Sequence, residues 1–173
     1  MRTELYWVPG PWPGRLAIMP RPRGGDWLVD EVRAWRQTGV DAVLSLLTPE
    51  EIAEFDLSDE GDLSAADAIQ FDSFPIADRN VPTSRAGFAK VVARIAEQLG
   101  SGKTVAVHCR QGIGRAPLVA IGALVLSGID PENAIQRVGA ARGSTVPETP
   151  EQRLWILDLA KSLPAPASAA DSG

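Results

Sequence analysis

The stretch VHCRQGIGRAP, residues 107–117, sets the only cysteine of the chain beside its only histidine, with Arg115 six positions after Cys109 and two glycines between them. Before it, residues 103–107 form a short apolar run rich in β-branched side chains, which reads as a strand. After it, residues 118–126 read as a buried helix. If the strand ends at His108 and the helix begins near Arg115, then Arg110, Gln111, Gly112, Ile113 and Gly114 must curl into a tight loop, and the two glycines permit that. Successive backbone N–H groups in such a loop point inward as an anion nest, reinforced by the positive end of the following helix. Arg115 adds a planar fork matched to two oxygens of a tetrahedral oxyanion, and Cys109 is expected at the bottom. The same amides, dipole and guanidinium favour the thiolate, the nucleophilic form of cysteine.

Outward from this loop the chain alternates strands with helices. Residues 16–19 can form a strand, and residues 27–38 carry Leu28, Val32 and Trp35 at helical spacing until Gly39. DAVLSLL, residues 41–47, is a nearly continuous apolar run, as expected of a strand covered on both faces. In TPEE, Thr48 caps a helix, Pro49 suits its first position and Glu51 reaches back to the cap amide. The acidic residues 56–67 read as a loop or frayed helix, and residues 68–74 as a strand. Phe88, Val91, Val92, Ile95 and Leu99 form a helical stripe that Gly100 and Gly102 stop. Asp130 with Pro131, and Thr149 with Pro150, each begin a further helix. This order predicts an α/β fold: one domain over residues 1–163, with a mostly parallel sheet flanked by helices on both faces. Residues 164–173, PAPASAADSG, read as a disordered tail. In parallel sheets of this kind ligands sit beyond the carboxyl ends of the strands, which is where Cys109 falls.

Composition narrows the function. Hydrophobic residues make up 45% and charged residues 23%, and no apolar run is long enough to span a membrane. The N-terminal MRTELYWVPGPWPG is interrupted by prolines and glycines, unlike a signal peptide, so a cytoplasmic protein with no membrane partner is expected. One cysteine excludes an internal disulfide, and one cysteine with one histidine is too little for a structural zinc site. A net charge of −5 argues against nucleic acid held by bulk electrostatics, so any anion must be bound by local design. The five tryptophans read as core or rim packing.

A thiolate in an anion nest can attack phosphorus and hold the phosphoryl group covalently, and the leaving oxygen then needs a proton. Asp78, on the loop FPIADRNVP, is the candidate donor; Asp72 is the weaker one because it falls inside a strand-like stretch. His108, adjacent to Cys109 on a strand end, is expected to point to the opposite face and to be structural. Gln152 in PETPEQ completes a capping box with Thr149, and could instead serve the site. Arg79, Arg142 and, beyond its place in the loop, Arg110 read as solvated charges.

HCRQGIGRAP resembles the H-C-x5-R signature loop of the cysteine-dependent protein tyrosine phosphatases, in their compact dual-specificity branch, and FPIADRNVP resembles that branch's general-acid loop. Residues 105–159 are similar in layout to the phosphatases associated with cyclin-dependent kinases. The resemblance implies a metal-independent and cofactor-independent phosphatase acting on phosphorylated proteins, with Cys109 as nucleophile, Arg115 as phosphate clamp and Asp78 as acid then base. It also implies a water-positioning role for Gln152. One position departs from the pattern. Most of the family carries serine or threonine after the loop arginine, to help the sulfur leave, whereas Ala116 stands here as in the slow phosphatases of regenerating liver. That departure implies slow turnover, and in the limit a binding module that captures phosphorylated partners.

Overall fold

A computed structural model describes residues 3–164. The run before the loop forms strand β5 (Thr104–His108) in the middle of a five-stranded sheet. On one side lies β2 (Arg15–Met19) and on the other β3 (Ala42–Ser45), both parallel to β5, so that Met19 and Ser45 each pair with His108. Beyond β3 comes β4 (Gln70–Ser73), again parallel, and beyond β2 comes β1 (Tyr6–Val8), antiparallel. The chain after β5 therefore leaves the sheet between two strands that end level with it.

Helices cover both faces. The apolar stripe beginning near Trp27 is α1 (Leu28–Thr38), closed by Gly39 in the left-handed conformation at φ 95°. TPEE starts α2 (Pro49–Glu54), with both halves of the Thr48–Glu51 capping box formed. The acidic stretch, expected as a loop or frayed helix, contains a regular helix, α3 (Glu60–Ala66). It is held because Leu57 and Ser64 are buried and Glu60 is drawn into the interior by a partner described below. Then follow α4 (Arg85–Gly100), α5 (Arg115–Leu126), α6 (Pro131–Arg142) and α7 (Pro150–Ala160). Asp130 and Thr149 cap α6 and α7 through their side chains, as expected. The sequence reading missed β1, which is three residues long and ends at Val8 before Pro9 and Gly10; its antiparallel pairing with β2 is a tertiary contact without a local signal. The proposed tail falls outside the described residues except for Pro164. Among the described residues no helix is long and apolar enough to cross a membrane.

Alternation along the strands divides the interior into two cores. Leu16, Ile18, Leu44, Val105 and Val107 face the larger one, with α4, α5 and α7, while Ala17, Met19, Val43 and Ala106 face the smaller one, with α1. Helix α5 is buried at ten of its twelve residues because it lies between the sheet and the other helices, which explains its nearly uniform apolar sequence. Phe88 of α4 locks this layer: its ring meets Trp155 of α7 edge-on at 4.9 Å and Phe74 at 6.4 Å. Phe88→Ala is expected to cost about 3–5 kcal/mol of stability, read as a lower urea midpoint at unchanged slope.

Candidate active site

The alternation of β5 continues one step past its end. Val105, Val107 and Cys109 belong to the larger core, while Ala106 belongs to the smaller one. His108 follows Ala106: its imidazole is fully buried and its Nε2 lies 2.6 Å from Oε1 of Glu60 on α3. Histidine and cysteine thus part to opposite faces, as their adjacency required.

Cys109 Sγ accepts hydrogen bonds from the backbone N–H groups of Gly112 at 3.3 Å and Ala116 at 3.4 Å. Two carbonyls of the same loop are turned away from the sulfur and tied down from outside. That of Arg110 accepts from the Arg21 amide at 3.2 Å, and that of Gln111 from Arg142 Nη2 at 3.2 Å. Gly112 has φ 73°, and a Cβ there would lie 2.9 Å from the carbonyl carbon of Met19, so both conformation and space demand glycine. Gly114 precedes α5 with no side-chain cap, which leaves the first amides of that helix turned to the loop interior. Pro117 costs the helix nothing there, since an amide in the first turn has no intrahelical partner.

Arg115 is the first residue of α5 and only 1% exposed. Its Nη1 donates to Glu51 Oε2 at 2.7 Å and to the carbonyl of Ile76 at 2.8 Å, and its Nη2 donates to Glu51 Oε1 at 2.8 Å and to Asp78 Oδ1 at 3.0 Å. Burial alone would make the guanidinium easier to deprotonate, but the bonds to Glu51 and the charges of Cys109, Glu51 and Asp78 outweigh it and raise its pKa. Glu51 shows the mirror effect. Burial pushes its carboxyl up, and the bonds from Arg115 and Thr48 more than reverse this, holding it below the usual carboxylate value.

Asp78 stands at the mouth of a pocket of about 160 Å³ whose floor and walls include Cys109, Gln111, Ile113, Gly114 and Arg115. It is 39% exposed, and its second oxygen lies 3.8 Å from Arg110 Nη1. The loop that carries it is fastened at several points. The Ile76 amide donates to Leu46, the Asn80 amide to Ala77, and Gln152 Nε2 to the carbonyl of Asn80 at 3.0 Å. Arg79, at φ 61°, reaches across the pocket to Glu148 at 3.6 Å. Asp72 is remote from this cluster and pairs with Arg94 on α4.

A nucleophile held by two amides, a buried guanidinium beside it and a carboxylate at the rim are the parts of a phosphate-monoester site. The family model described as "Polymorphic toxin system, DSP-PTPase phosphatase" (Tc-R-P) matches residues 17–129. This chain belongs to that family. It is a cysteine-based phosphatase of the dual-specificity class. The kinase-associated phosphatase KAP, with serine in place of its catalytic cysteine, superposes with a TM-score of 0.85 at 20% identity, over 94% of this chain and 97% of that one. Tk-PTP in its active form gives 0.69 at 27% identity, over 86% and 92%. PTPMT1 in complex with PI(5)P gives 0.72 at 17% identity, over 91% and 96%. At 20% and 17% identity the first and third show likeness of fold alone. Comparison with curated protein sequences gives no match.

In this phosphatase the structure brings Cys109, Arg115, Asp78 and the loop residues Arg110, Gln111, Ile113 and Gly114 together around one pocket, while Gly112 meets the site through its amide bond to Cys109 Sγ. Gln152 is fully buried beneath it rather than lining it: Oε1 accepts from the Thr149 amide, so the capping box is made, while Nε2 anchors the Asp78 loop. Arg142, read from sequence as a solvated charge, instead ties down the Gln111 carbonyl and stacks over Tyr6 at 4.0 Å. Two residues were missed. Glu51 passed as a capping-box glutamate, which it also is, since Oε2 accepts from the Thr48 amide at 2.9 Å. Glu60 sat in an acidic run with no mark to separate it from its exposed neighbours.

Glu51→Gln keeps the cap geometry but takes the countercharge from Arg115. It is expected to lower kcat/KM by about ten- to a hundredfold, as the clamp loses its fixed position. It also alters acid stability. Because the folded carboxyl is held below its unfolded value, its stabilisation is complete above the ordinary carboxylate pKa of about 4.3 and is lost as pH falls below that. Thermal melts from pH 7 to pH 3 should therefore fall less steeply in Glu51→Gln than in the unmodified protein.

Proposed function

We propose that this phosphatase hydrolyses phosphate monoesters on proteins through a phosphocysteine at Cys109. The observation that carries the reading is the pair of amide bonds to Cys109 Sγ at the base of a pocket walled by Arg115. Four of the five guanidinium protons of Arg115 have protein partners, and the Nε–H has none among the described residues. Glu51 and Ile76 hold the outer side of the fork. A phosphate in the nest takes the Nε–H and the Nη2–H now directed at Asp78, which releases the Asp78 carboxyl towards the leaving oxygen.

In the first step the Sγ–P bond forms, the bond from phosphorus to the ester oxygen breaks, and Asp78 gives that oxygen its proton. In the second, water attacks phosphorus while Asp78 takes the water's proton, and the sulfur departs as thiolate into the amides of Gly112 and Ala116. Those amides stabilise the departing charge although Ala116 has no hydroxyl. Gln152 acts on this scheme by holding the Asn80 end of the acid loop, a positioning role from beneath the pocket. Arg110, Gln111, Gly112, Ile113 and Gly114 contact the bound phosphate. The catalytic unit is residues 1–163, and a single unpaired thiolate suits a reducing cytoplasm, where it stays reduced.

Cys109→Ser is expected to abolish turnover while vanadate or phosphopeptide binding persists, and Arg115→Lys to weaken both, because lysine cannot reproduce the fork. Asp78→Asn should lower kcat by about a hundredfold or more for alkyl phosphates but far less for activated aryl phosphates. Retention of full activity in Cys109→Ser would overturn the scheme, and equal loss on both substrate types in Asp78→Asn would remove Asp78 as the acid.

The missing hydroxyl at Ala116 predicts that breakdown of the phosphocysteine limits turnover. Rapid mixing with an activated aryl phosphate should release close to one equivalent of phenol per enzyme before a slower steady state. Ala116→Ser should shrink that burst and raise the steady rate, by about tenfold to a hundredfold if the new bond contributes about 1.5–3 kcal/mol as the thiolate departs. The site is fully buried, so the hydroxyl competes with the amide bond already made to the sulfur, and the gain sits at the lower end.

A further inference from the structure

The Gly112 amide that holds the Cys109 sulfur is itself held from outside, by a charged side chain that the scheme above leaves idle. The Gly112 N–H and the Gln111 carbonyl belong to one planar trans peptide, so they point in opposite directions. The N–H meets the sulfur at 3.3 Å, and the carbonyl accepts from Arg142 Nη2 at 3.2 Å on the far side. Arg142 is the last residue of α6, and Gly143, at φ 74°, turns the chain directly after it. Its guanidinium carbon lies 4.0 Å from the ring centre of Tyr6, the only tyrosine of the chain. Tyr6 stands on β1 opposite Ile18 of β2, and its hydroxyl donates to Glu4 at 3.0 Å. Arg142 Nε is buried with no hydrogen-bond partner among the described residues. An arginine at a helix end can keep all its donors in water, and this one gives up part of that hydration for a ring and one loop carbonyl.

We infer that Arg142 is a positioning residue of this site: it holds the Gln111–Gly112 peptide with its N–H on the Cys109 sulfur and so sustains the thiolate from behind the loop. The inference rests on the phosphatase reading of the Cys109 pocket and adds to it a residue that does not line that pocket. Two effects act together. Turned the other way, the same peptide would present its carbonyl oxygen to the sulfur and repel a thiolate. Glycine accepts either sign of φ, so Gly112 does not fix the orientation by itself, and Arg142 supplies what it lacks. A cation on the carbonyl also polarises the peptide and strengthens its N–H as a donor. The other amide on the sulfur, that of Ala116, lies in the first turn of α5 and is oriented by the helix. Tyr6 completes the device. Stacking on its ring fixes the plane of the Arg142 guanidinium without consuming the N–H that reaches Gln111. The short strand β1 thereby reaches the nucleophile through Tyr6, Arg142 and one peptide unit.

The test is the pH profile of Cys109 alkylation by iodoacetamide, measured in the full chain. A less stabilised thiolate stays protonated to higher pH. Arg142→Met should therefore be alkylated about three- to tenfold more slowly than the unmodified protein at pH 6, and within about twofold of it on the alkaline plateau. Arg142→Lys, which keeps a cationic N–H for the carbonyl, should recover most of the rate. Tyr6→Leu should fall between the two, whereas Tyr6→Phe, which keeps the ring, should match the unmodified protein. Arg137→Gln, on the same helix, should also match it. With an aryl phosphate, kcat of Arg142→Met should fall by about three- to tenfold, because the sulfur is nucleophile in one step and leaving group in the next. The charged groups facing the sulfur, Arg110, Arg115, Asp78, Arg79 and Glu148, and the His108–Glu60 pair behind the strand are the same in every variant. The displacement should persist at raised salt, where the direct field of a distant cation is screened. Identical profiles in Arg142→Met and the unmodified protein would overturn the role, as would a displacement that salt removes. A uniform change at every pH with a lowered urea midpoint would also overturn it, as a structural effect alone. A displaced profile in a chain that hydrolyses no phosphate monoester would support the role of Arg142 and overturn the phosphocysteine reading instead.

Discussion

The ion pair between Arg115 and Glu51 is the contact on which the geometry of the site depends. One guanidinium, almost without exposure, gathers the start of α5, the first turn of α2 and the loop that carries Asp78. A buried charge without partners would cost several kcal/mol, so the fold must bring a carboxylate to it, and the bidentate geometry specifies which one and in what orientation. Such a pair adds little net stability over a well-packed apolar substitute. Its effect is positional: the fork is turned so that two of its donors remain on the pocket side. A glutamate already fixed by the cap of α2 is well suited to this, because its side chain enters the pair with little freedom left to lose.

The second constraint is the period of the strand. With β5 between two parallel neighbours, each residue at its end has only two directions, and the chain uses both. Cys109 turns to the larger core and the loop, while His108 turns to α3 and meets Glu60. The histidine is therefore a brace. It fixes the last turn of the strand from behind, so that the backbone enters the loop at an angle that directs the amides of Gly112 and Ala116 at the sulfur. Gly112 completes this by passing against the backbone of Met19, the last residue of β2. The strand end, the glycine and the helix start form one cradle, whereas the Asp78 carboxylate stands on a loop tied to it through Arg115.

What the sequence disclosed followed from locality. The loop, its glycines, Arg115 and the flanking strand and helix lie within a short span, and each carries a periodic or conformational mark. Helix starts with proline and a capping residue, at Thr48, Asp130 and Thr149, were equally legible. Asp78 could be placed because it lies on a proline-bounded loop after a strand. What stayed hidden was created by tertiary contact. Glu51 has one local meaning and one distant one, and the local meaning accounted for it fully. Glu60 is buried only because His108 arrives beside it, and α3 is defined through that contact in a stretch whose composition suggests exposure. Arg142 looked like a surface charge because nothing nearby in sequence shows that it meets a loop carbonyl and the ring of Tyr6.

The charge distribution reconciles an acidic chain with an anionic substrate. At physiological ionic strength the field of surface carboxylates is screened within about 8 Å, so a net charge of −5 sets no strong barrier at the pocket mouth. Inside that distance the site is governed by fixed donors. These are the loop amides, the start of α5, the inward side of the Arg115 fork and the guanidinium of Arg110 at the edge. At the rim the two carboxylates are matched, Asp78 by Arg110 at 3.8 Å and Glu148 by Arg79 at 3.6 Å, so neither stands there as an unopposed negative charge. The net charge of the chain therefore does not describe the pocket, whose electrostatics are set by paired groups at its mouth and by fixed donors at its floor.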